Sequence, residues 1–229
     1  MAVEKVVVFN AHGGSNTKGA AINDWLRAID VDVAFISELK RLADDLRAGR
    51  LYTGKPAMGR GANDTAILLR SGRASYFRQH QLTRDVPWND EHPGWSHDRW
   101  FTHVRKDNTA YFAVHGNAVI QKDGEWLSNP GADEWRCEGL PKLYNAISRA
   151  KRRGRDVQIG GDFNFPASST KWSPNWMFDQ LGLRYIHHNV DWFAWDPEVW
   201  RTTHHSIGRI APGADAHKSI QVHLARRAR

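Results

Sequence analysis

Apolar runs of five or six residues alternate with amphipathic stretches along this chain, and the alternation sets out its elements. Lys5 to Asn10, rich in Val and closing on an amide, predicts a buried strand whose last residue emerges at a sheet edge. Gly13 and Gly14 then make a turn. Asn16 or Thr17 can cap a helix with Ile22, Trp25, Leu26 and Ile29 on one face, at the i, i+3, i+4, i+7 spacing. Val31 to Ser37 predicts a second strand that delivers Glu38 at its end, and Leu39, Leu42, Ala43 and Leu46 predict a second amphipathic helix stopped by Gly49. Leu51 to Asn63 reads as a loop. Thr65 to Leu69 and Ser75 to Leu82 read as strands hinged at Ser71, Gly72 and Arg73, and Thr83 to Asp98 as a long polar surface loop.

The second half repeats the scheme. Trp100 to Arg105 and Ala110 to His115 predict a hairpin across Lys106, Asp107 and Asn108, with a histidine ending its second strand. After an irregular stretch from Gly116 to Arg136, a helix carries Leu140, Leu143, Tyr144 and Ile147. It closes on Arg149, Lys151, Arg152, Arg153 and Arg155, whose cations suit the negative pole of a helix dipole. Val157 to Pro166, VQIGGDFNFP, follows as a strand in which Gly160 and Gly161 allow a turn in close quarters before Asp162 and Asn164. In an extended chain those two side chains share a side and face one site. The local alternative is an Asx turn, in which Asp and Asn bond their own backbone. Ser173 and Pro174 start a short helix around Trp176 to Leu181, stopped by Gly182; Val190 to Ala194 and Ser219 to Leu224 are the remaining strands.

Composition narrows the class. At 229 residues, with 41% hydrophobic and 25% charged residues, the chain suits one globular domain with a substantial core. No apolar run approaches the roughly 20 residues that span a bilayer, and the start of the chain reads as a strand rather than a signal peptide. Cys137 is the single cysteine, which excludes an internal disulfide and a cysteine zinc site, so an intracellular, cytoplasmic setting without membrane attachment is the expectation. A net charge of +7 makes a polyanion a plausible partner. Of the 11 tryptophans, most are expected in the core, leaving one or two to line a groove and stack bases.

The polar residues at strand ends are Asn10, Glu38, His115, Asp162, Asn164, Asp191, Asp215 and His217. Alternating strands and helices bring such ends to one rim of a layered α/β domain. Acids, amides and histidines without a thiol favour a hard cation such as Mg²⁺ or Mn²⁺. The adjacent pairs His187–His188 and His204–His205 do not suggest zinc, because neighbours on a strand face opposite ways.

With these blocks in order (VVVFNAHGG, FISELK, YFAVHGNA, IGGDFNFP, VDWFAW and ADAHKSIQVHL) the sequence resembles the endonuclease/exonuclease/phosphatase superfamily, which includes DNase I-like nucleases, abasic-site endonucleases, inositol polyphosphate phosphatases and sphingomyelinases. The resemblance implies an α/β/β/α four-layer sandwich of two packed mixed sheets and a divalent-metal-dependent phosphoester hydrolase, with a nuclease as the leading expectation. It implies metal binding by Glu38, an amide in Asn10 that helps hold the metal or the phosphate, a water- and phosphate-orienting pair in Asp162 and Asn164, and proton donation by His115. Asp191 would orient a final histidine, His217, and either Asp162 or His217 would take the proton from water. Apart from the resemblance, His12 as a residue type could join Asn10 and Asn164 in hydrogen bonding to the substrate. The family ending Ser-Asp-His is altered here, since Ala216 precedes His217 and Asp215 is one residue early. A one-residue shift reverses side-chain direction, so Asp215 takes the metal role only if a bulge restores it. The alternatives are a phosphatase or phosphodiesterase for a small molecule or lipid, and a catalytically impaired descendant that binds nucleic acid or protein. No obligate protein partner is evident, and a monomer is expected.

Overall fold

The apolar runs become the inner strands of two sheets. The computed structural model describes residues 3–11, 16–39, 42, 46–53, 65–83, 99–116, 120–122, 125–127, 135–167, 173–209 and 218–228. In chain order the elements are β1 (Val3–Asn10), α1 (Asn16–Ala28), β2 (Val33–Ser37), β3 (Arg50–Thr53), β4 (Thr65–Leu69), β5 (Tyr76–Gln81), β6 (Trp100–Lys106) and β7 (Thr109–His115). They continue with β8 (Ile120–Lys122), β9 (Glu125–Leu127), a π-helical turn at Trp135–Gly139, α2 (Leu140–Arg152), β10 (Asp156–Asp162), α3 (Pro174–Gln180), β11 (Arg184–His188), β12 (Asp191–Trp195), β13 (Trp200–Arg209) and β14 (Lys218–Arg226).

One six-stranded sheet has the order β13-β14-β1-β2-β4-β3, the other β11-β12-β10-β7-β6-β5, and β8 and β9 form a separate hairpin. Both large sheets are mixed: β1 runs parallel to β2, and β7 parallel to β10, while the other pairings are antiparallel. Alternation along the strands then makes three apolar layers. Val8, Phe35, Val104, Tyr111, Phe193 and Val222 fill the space between the sheets. Val7, Phe9, Ala34 and Ile36 turn outward under Ile22 and Leu26 of α1. Phe112, Val157 and Ile159 turn outward under Leu143 and Ile147 of α2 and Met177 and Phe178 of α3. This is the expected four-layer sandwich.

Several local expectations hold. The hairpin β6–β7 forms with Asp107 at φ 52° in its turn, and α3 starts where Ser173 accepts the N–H of Trp176 at 3.3 Å beside Pro174. Gly182 at φ 64° follows the end of α3.

Others are corrected. Gly160 and Gly161 do not turn the chain; β10 continues through both to Asp162. β4 and β5 are strands, but they belong to different sheets, so Ser71–Arg73 carries the chain from one sheet to the other. Leu39, Leu42 and Leu46 are buried against the α1 layer as their spacing suggested; the rest of the helix expected there, Ala43 included, lies outside the described residues. No helix among the described residues is long and apolar enough to cross a membrane.

Candidate active site

The two parallel strand pairs end at the same rim. In the first sheet Asn10 lies beside Ser37, and in the second Asp162 lies beside His115. Each side chain belongs to the inward set of its strand, continuing Val8 and Phe35 on one side and Gly160 and Ala113 on the other. The rim of the gap between the sheets therefore carries an amide, a hydroxyl, a carboxylate and an imidazole, and all four residues are buried.

Glu38 comes one residue after Ser37 and on strand geometry would point outward. Its backbone instead takes φ 51°, a left-handed conformation that is uncommon for a non-glycine residue. The side chain is thereby brought to the inter-sheet rim, where Oε1 accepts the Asn10 amide at 3.0 Å and lies 3.8 Å from His115 Nε2. The same Asn10 nitrogen donates to Asp162 Oδ2 at 3.0 Å. One amide thus holds two carboxylates from opposite sheets. Potential ligand atoms of Glu38, His115 and Asp162 all lie within 4.8 Å of one another.

Two carboxylates so close repel each other, and an imidazole beside them offers one more lone pair. This donor set fits a divalent cation with a preference for oxygen and nitrogen ligands. The groups of the candidate centre are supplied by four strand ends, so the sheets' mutual packing fixes their spacing.

Ser37 is the residue that sequence reasoning undervalued. Its hydroxyl donates to the Val114 carbonyl at 3.0 Å and accepts the Asp162 N–H at 3.0 Å, tying the end of β2 to both β7 and β10. The available signal was a polar residue closing the otherwise apolar run VAFIS. Gly161 serves the same junction: a Cβ there would stand 2.0 Å from the Val114 oxygen, and its φ is +145°. At Gly160 a Cβ would meet Val8 Cγ2 at 2.6 Å and Phe35 Cγ at 2.9 Å, so the missing side chain lets the sheets close.

Asn164 departs from the same-side expectation because the strand stops at Asp162. Its φ is 50°, its N–H donates to Asp162 Oδ1 at 2.7 Å, and its side-chain amide donates to the Gly116 carbonyl at 2.9 Å. This is the Asx turn of the local alternative, put to use: it fixes Asp162 and clamps the residue after His115. Asp191 starts β12 directly across from Asp162 and is buried, which places it at the rim. His12, Asp215 and His217 lie outside the described residues.

The sequence profile of the Endonuclease/Exonuclease/phosphatase family matches residues 7–210, which takes in each described member of this constellation. The chain belongs to the endonuclease/exonuclease/phosphatase family. Solved structures of similar fold include the human Nocturnin catalytic domain, at TM-score 0.69 and 11% identity over 98% of this chain and 94% of that one. A mannosyl-6-phosphatase of Bacteroides thetaiotaomicron VPI-5482 gives TM-score 0.66 and 14% identity, over 97% of this chain and 99% of that one. The endonuclease domain of TRAS1, a telomere-specific non-LTR retrotransposon, gives 0.58 and 11%, over 97% and 98%. A comparison with curated proteins finds no match. At such identities the endonuclease/exonuclease/phosphatase neighbours speak for the fold, and the chemistry has to be argued from the rim itself.

Proposed function

We propose that this protein is a divalent-metal-dependent phosphodiesterase that cleaves nucleic acid. The observation that carries the reading is the convergence of Glu38 and Asp162 from two sheets onto the Asn10 amide, with His115 beside them, in a family of phosphoester hydrolases. Support for a nucleic-acid substrate comes from the net charge of +7, because phosphate contacts dominate such binding.

In this reading Glu38 would hold Mg²⁺ or Mn²⁺ at a site that Asp162 and His115 also face, and the ion would supply positive charge against the phosphoryl oxygens. Asp162 is fixed at Oδ1 by the Asn164 N–H and at Oδ2 by the Asn10 amide, and its carboxylate, so placed, orients the attacking water. The water's proton passes to Asp162, with His217 as the other base in the sequence reading. His115 Nε2 donates a proton to the departing oxygen. Asn10 and Asn164 act chiefly by positioning, since their amides are engaged with protein acceptors at the rim. Asp191 supports the same rim, Asp215 joins the metal ligands only if a bulge restores its direction, and His12 would add a hydrogen bond to the substrate.

The deciding experiment incubates the protein with supercoiled plasmid, single-stranded DNA and RNA, in Mg²⁺, Mn²⁺ or EDTA, beside a panel of small phosphomonoesters. Metal-dependent nicking or shortening of nucleic acid, abolished by Glu38→Gln, is the expected result. Release of phosphate from the monoesters with intact nucleic acid would assign a phosphatase instead. A folded sample inert toward every substrate and ion would leave the rim as a binding surface.

A further inference from the structure

The second sheet carries another cavity, on its outer face rather than at the rim between the sheets. It lies between β5 and β6 and the C-terminal half of α2, is about 120 Å³ in volume, and is lined by Tyr76, His80, His103, Arg105, Arg149, Arg153 and Arg155, with Ala146 and Ala150. Four guanidinium groups and two imidazoles line it, and no carboxylate does. The charge is not matched from elsewhere: among the described residues, no acid forms an ion pair with Arg105, Arg149 or Arg153.

The polar groups are held in place. His80 stacks on Phe101 with centroids 4.6 Å apart, and His103 on Phe112 at 4.4 Å. The Arg105 guanidinium sits 4.0 Å over the Tyr76 ring, and Arg155 Nη1 donates to the Asp107 carbonyl and to Asn108 Oδ1, each at 3.3 Å. His80 Nε2, His103 Nε2 and Arg105 Nε are withdrawn from solvent and have no hydrogen-bond partner among the described residues. Buried polar nitrogens of this kind call for an absent acceptor.

A basic end of α2 alone would be explained by the helix dipole. That explanation covers Arg149 and Arg153 but not Arg105, which comes from the sheet, nor three nitrogens left without acceptors. We propose that this cavity binds a phosphoryl group, accepting hydrogen bonds from His80, His103 and the arginines, at a place separate from the catalytic rim. A cavity of about 120 Å³ has room for a phosphoryl group. The ligand is either free phosphate or the terminal phosphate of a nucleic-acid strand. Both present the oxygens that guanidinium groups chelate. The inference does not depend on the reading of the rim.

The ring signals of His80 and His103 in the full-length protein are the direct probe. They should be followed by NMR during titration, at constant ionic strength, with inorganic phosphate, a 5′-phosphorylated dinucleotide and the same dinucleotide without its 5′-phosphate. Saturable shifts of both rings with inorganic phosphate are expected, weakened on the order of tenfold by Arg149→Gln or Arg153→Gln, as befits loss of one charge-assisted bond. Both residues are exposed, Arg149 in the last turn of α2 and Arg153 directly after it, so the variants should keep the wild-type melting midpoint. Tighter saturation by the 5′-phosphorylated dinucleotide than by inorganic phosphate would assign strand-end recognition, and the reverse a free-ion site. Rings that do not respond, shifts that grow linearly with any added anion, or unchanged affinity in the arginine variants would each overturn the proposal.

Discussion

Exchanging the Glu38 carboxylate for an amide removes a negative charge from the candidate cation site while keeping its shape. Asp162→Asn does the same to the residue proposed to take the water's proton. If the roles are divided as argued, Glu38→Gln should weaken Mn²⁺ binding measured by calorimetry by about tenfold or more. Asp162→Asn should instead lower kcat by about 100-fold or more at saturating metal. Equal losses of metal affinity in both variants, with rates restored by excess Mn²⁺, would make Asp162 a ligand and transfer the base to His217. Ser37 is a different kind of residue, because it meets no substrate in this scheme. Ser37→Ala leaves the Val114 carbonyl and the Asp162 N–H without their shared hydroxyl in a buried position. It should cost about 1–3 kcal/mol in urea unfolding, and lower kcat with little change in KM, since what it disturbs is the placement of Asp162.

At the level of elements, β10 is the strand on which the most depends, and its two glycines are there for different reasons. Gly160 leaves room for Val8 and Phe35 of the facing sheet, whereas Gly161 combines φ +145° with the approach of the Val114 carbonyl. Gly161→Ala therefore meets both backbone strain and a clash with backbone that has no rotamer to yield. It should destabilise the protein by at least about 3 kcal/mol or prevent its accumulation as a folded species. A melting midpoint within a few degrees of wild type would show that β10 can shift away from β7. The strands that bury a face on both sides, β1, β2, β7 and β10, are those whose residues announced them: runs of Val, Ile, Phe and Ala bury apolar area whatever their neighbours do. The strands that went unread lie at or near edges. β11 (RYIHH) and β13 (WRTTHHSIGR) are largely exposed, so their residues carry no alternation to read, and their pairing is imposed by β12 and β14. The rim was legible for the complementary reason that a carboxylate, an amide or an imidazole at the end of an apolar run has no packing role to explain it. What could not be read was backbone conformation. The left-handed φ of Glu38 and of Asn164 decides where those side chains go; asparagine tolerates that region and the Asx turn was its one signal, whereas nothing about a glutamate advertises it.

On the scale of the molecule, the two sheets are pinned to each other by buried and half-buried polar contacts at separate places. Besides the Ser37 and Asn10 bridges, Thr65 Oγ1 and Thr102 Oγ1 meet at 2.8 Å across the sheets, and Glu4 at the start of β1 accepts from Gln158 Nε2 at 2.5 Å and from the Tyr111 hydroxyl at 3.3 Å. Outside this double layer sit the histidines of the arginine-lined cavity, and they set the acid limit of stability. Burial, then the neighbouring His80 and Arg105, lowers the His103 pKa to about 3. Burial also lowers His80, with Arg78 and Arg149 adding to it, and lowers His223, with His204 and Lys5 adding to it. In the unfolded chain each imidazole takes up its proton near pH 6.5, so between about 6.5 and 3 the unfolded state binds more protons than the folded one. The stability contributed by keeping these rings neutral is therefore complete above about pH 6.5 and drains away as the pH falls. Glu4 works the other way: burial raises its pKa, so its folded form keeps a proton that the unfolded chain has lost, and its share declines as the pH rises above the usual carboxylate range. Urea unfolding at about pH 7 and pH 5 should show lower stability at pH 5. His103→Gln should flatten that difference even though it loses the stacking on Phe112, because it removes the group with the largest depression. An unchanged slope in His103→Gln would place the acid sensitivity elsewhere. Phosphate at the lower pH supplies the cross-check, since an anion that stabilises the protonated rings should restore part of the lost stability in the wild type and less of it in Arg149→Gln.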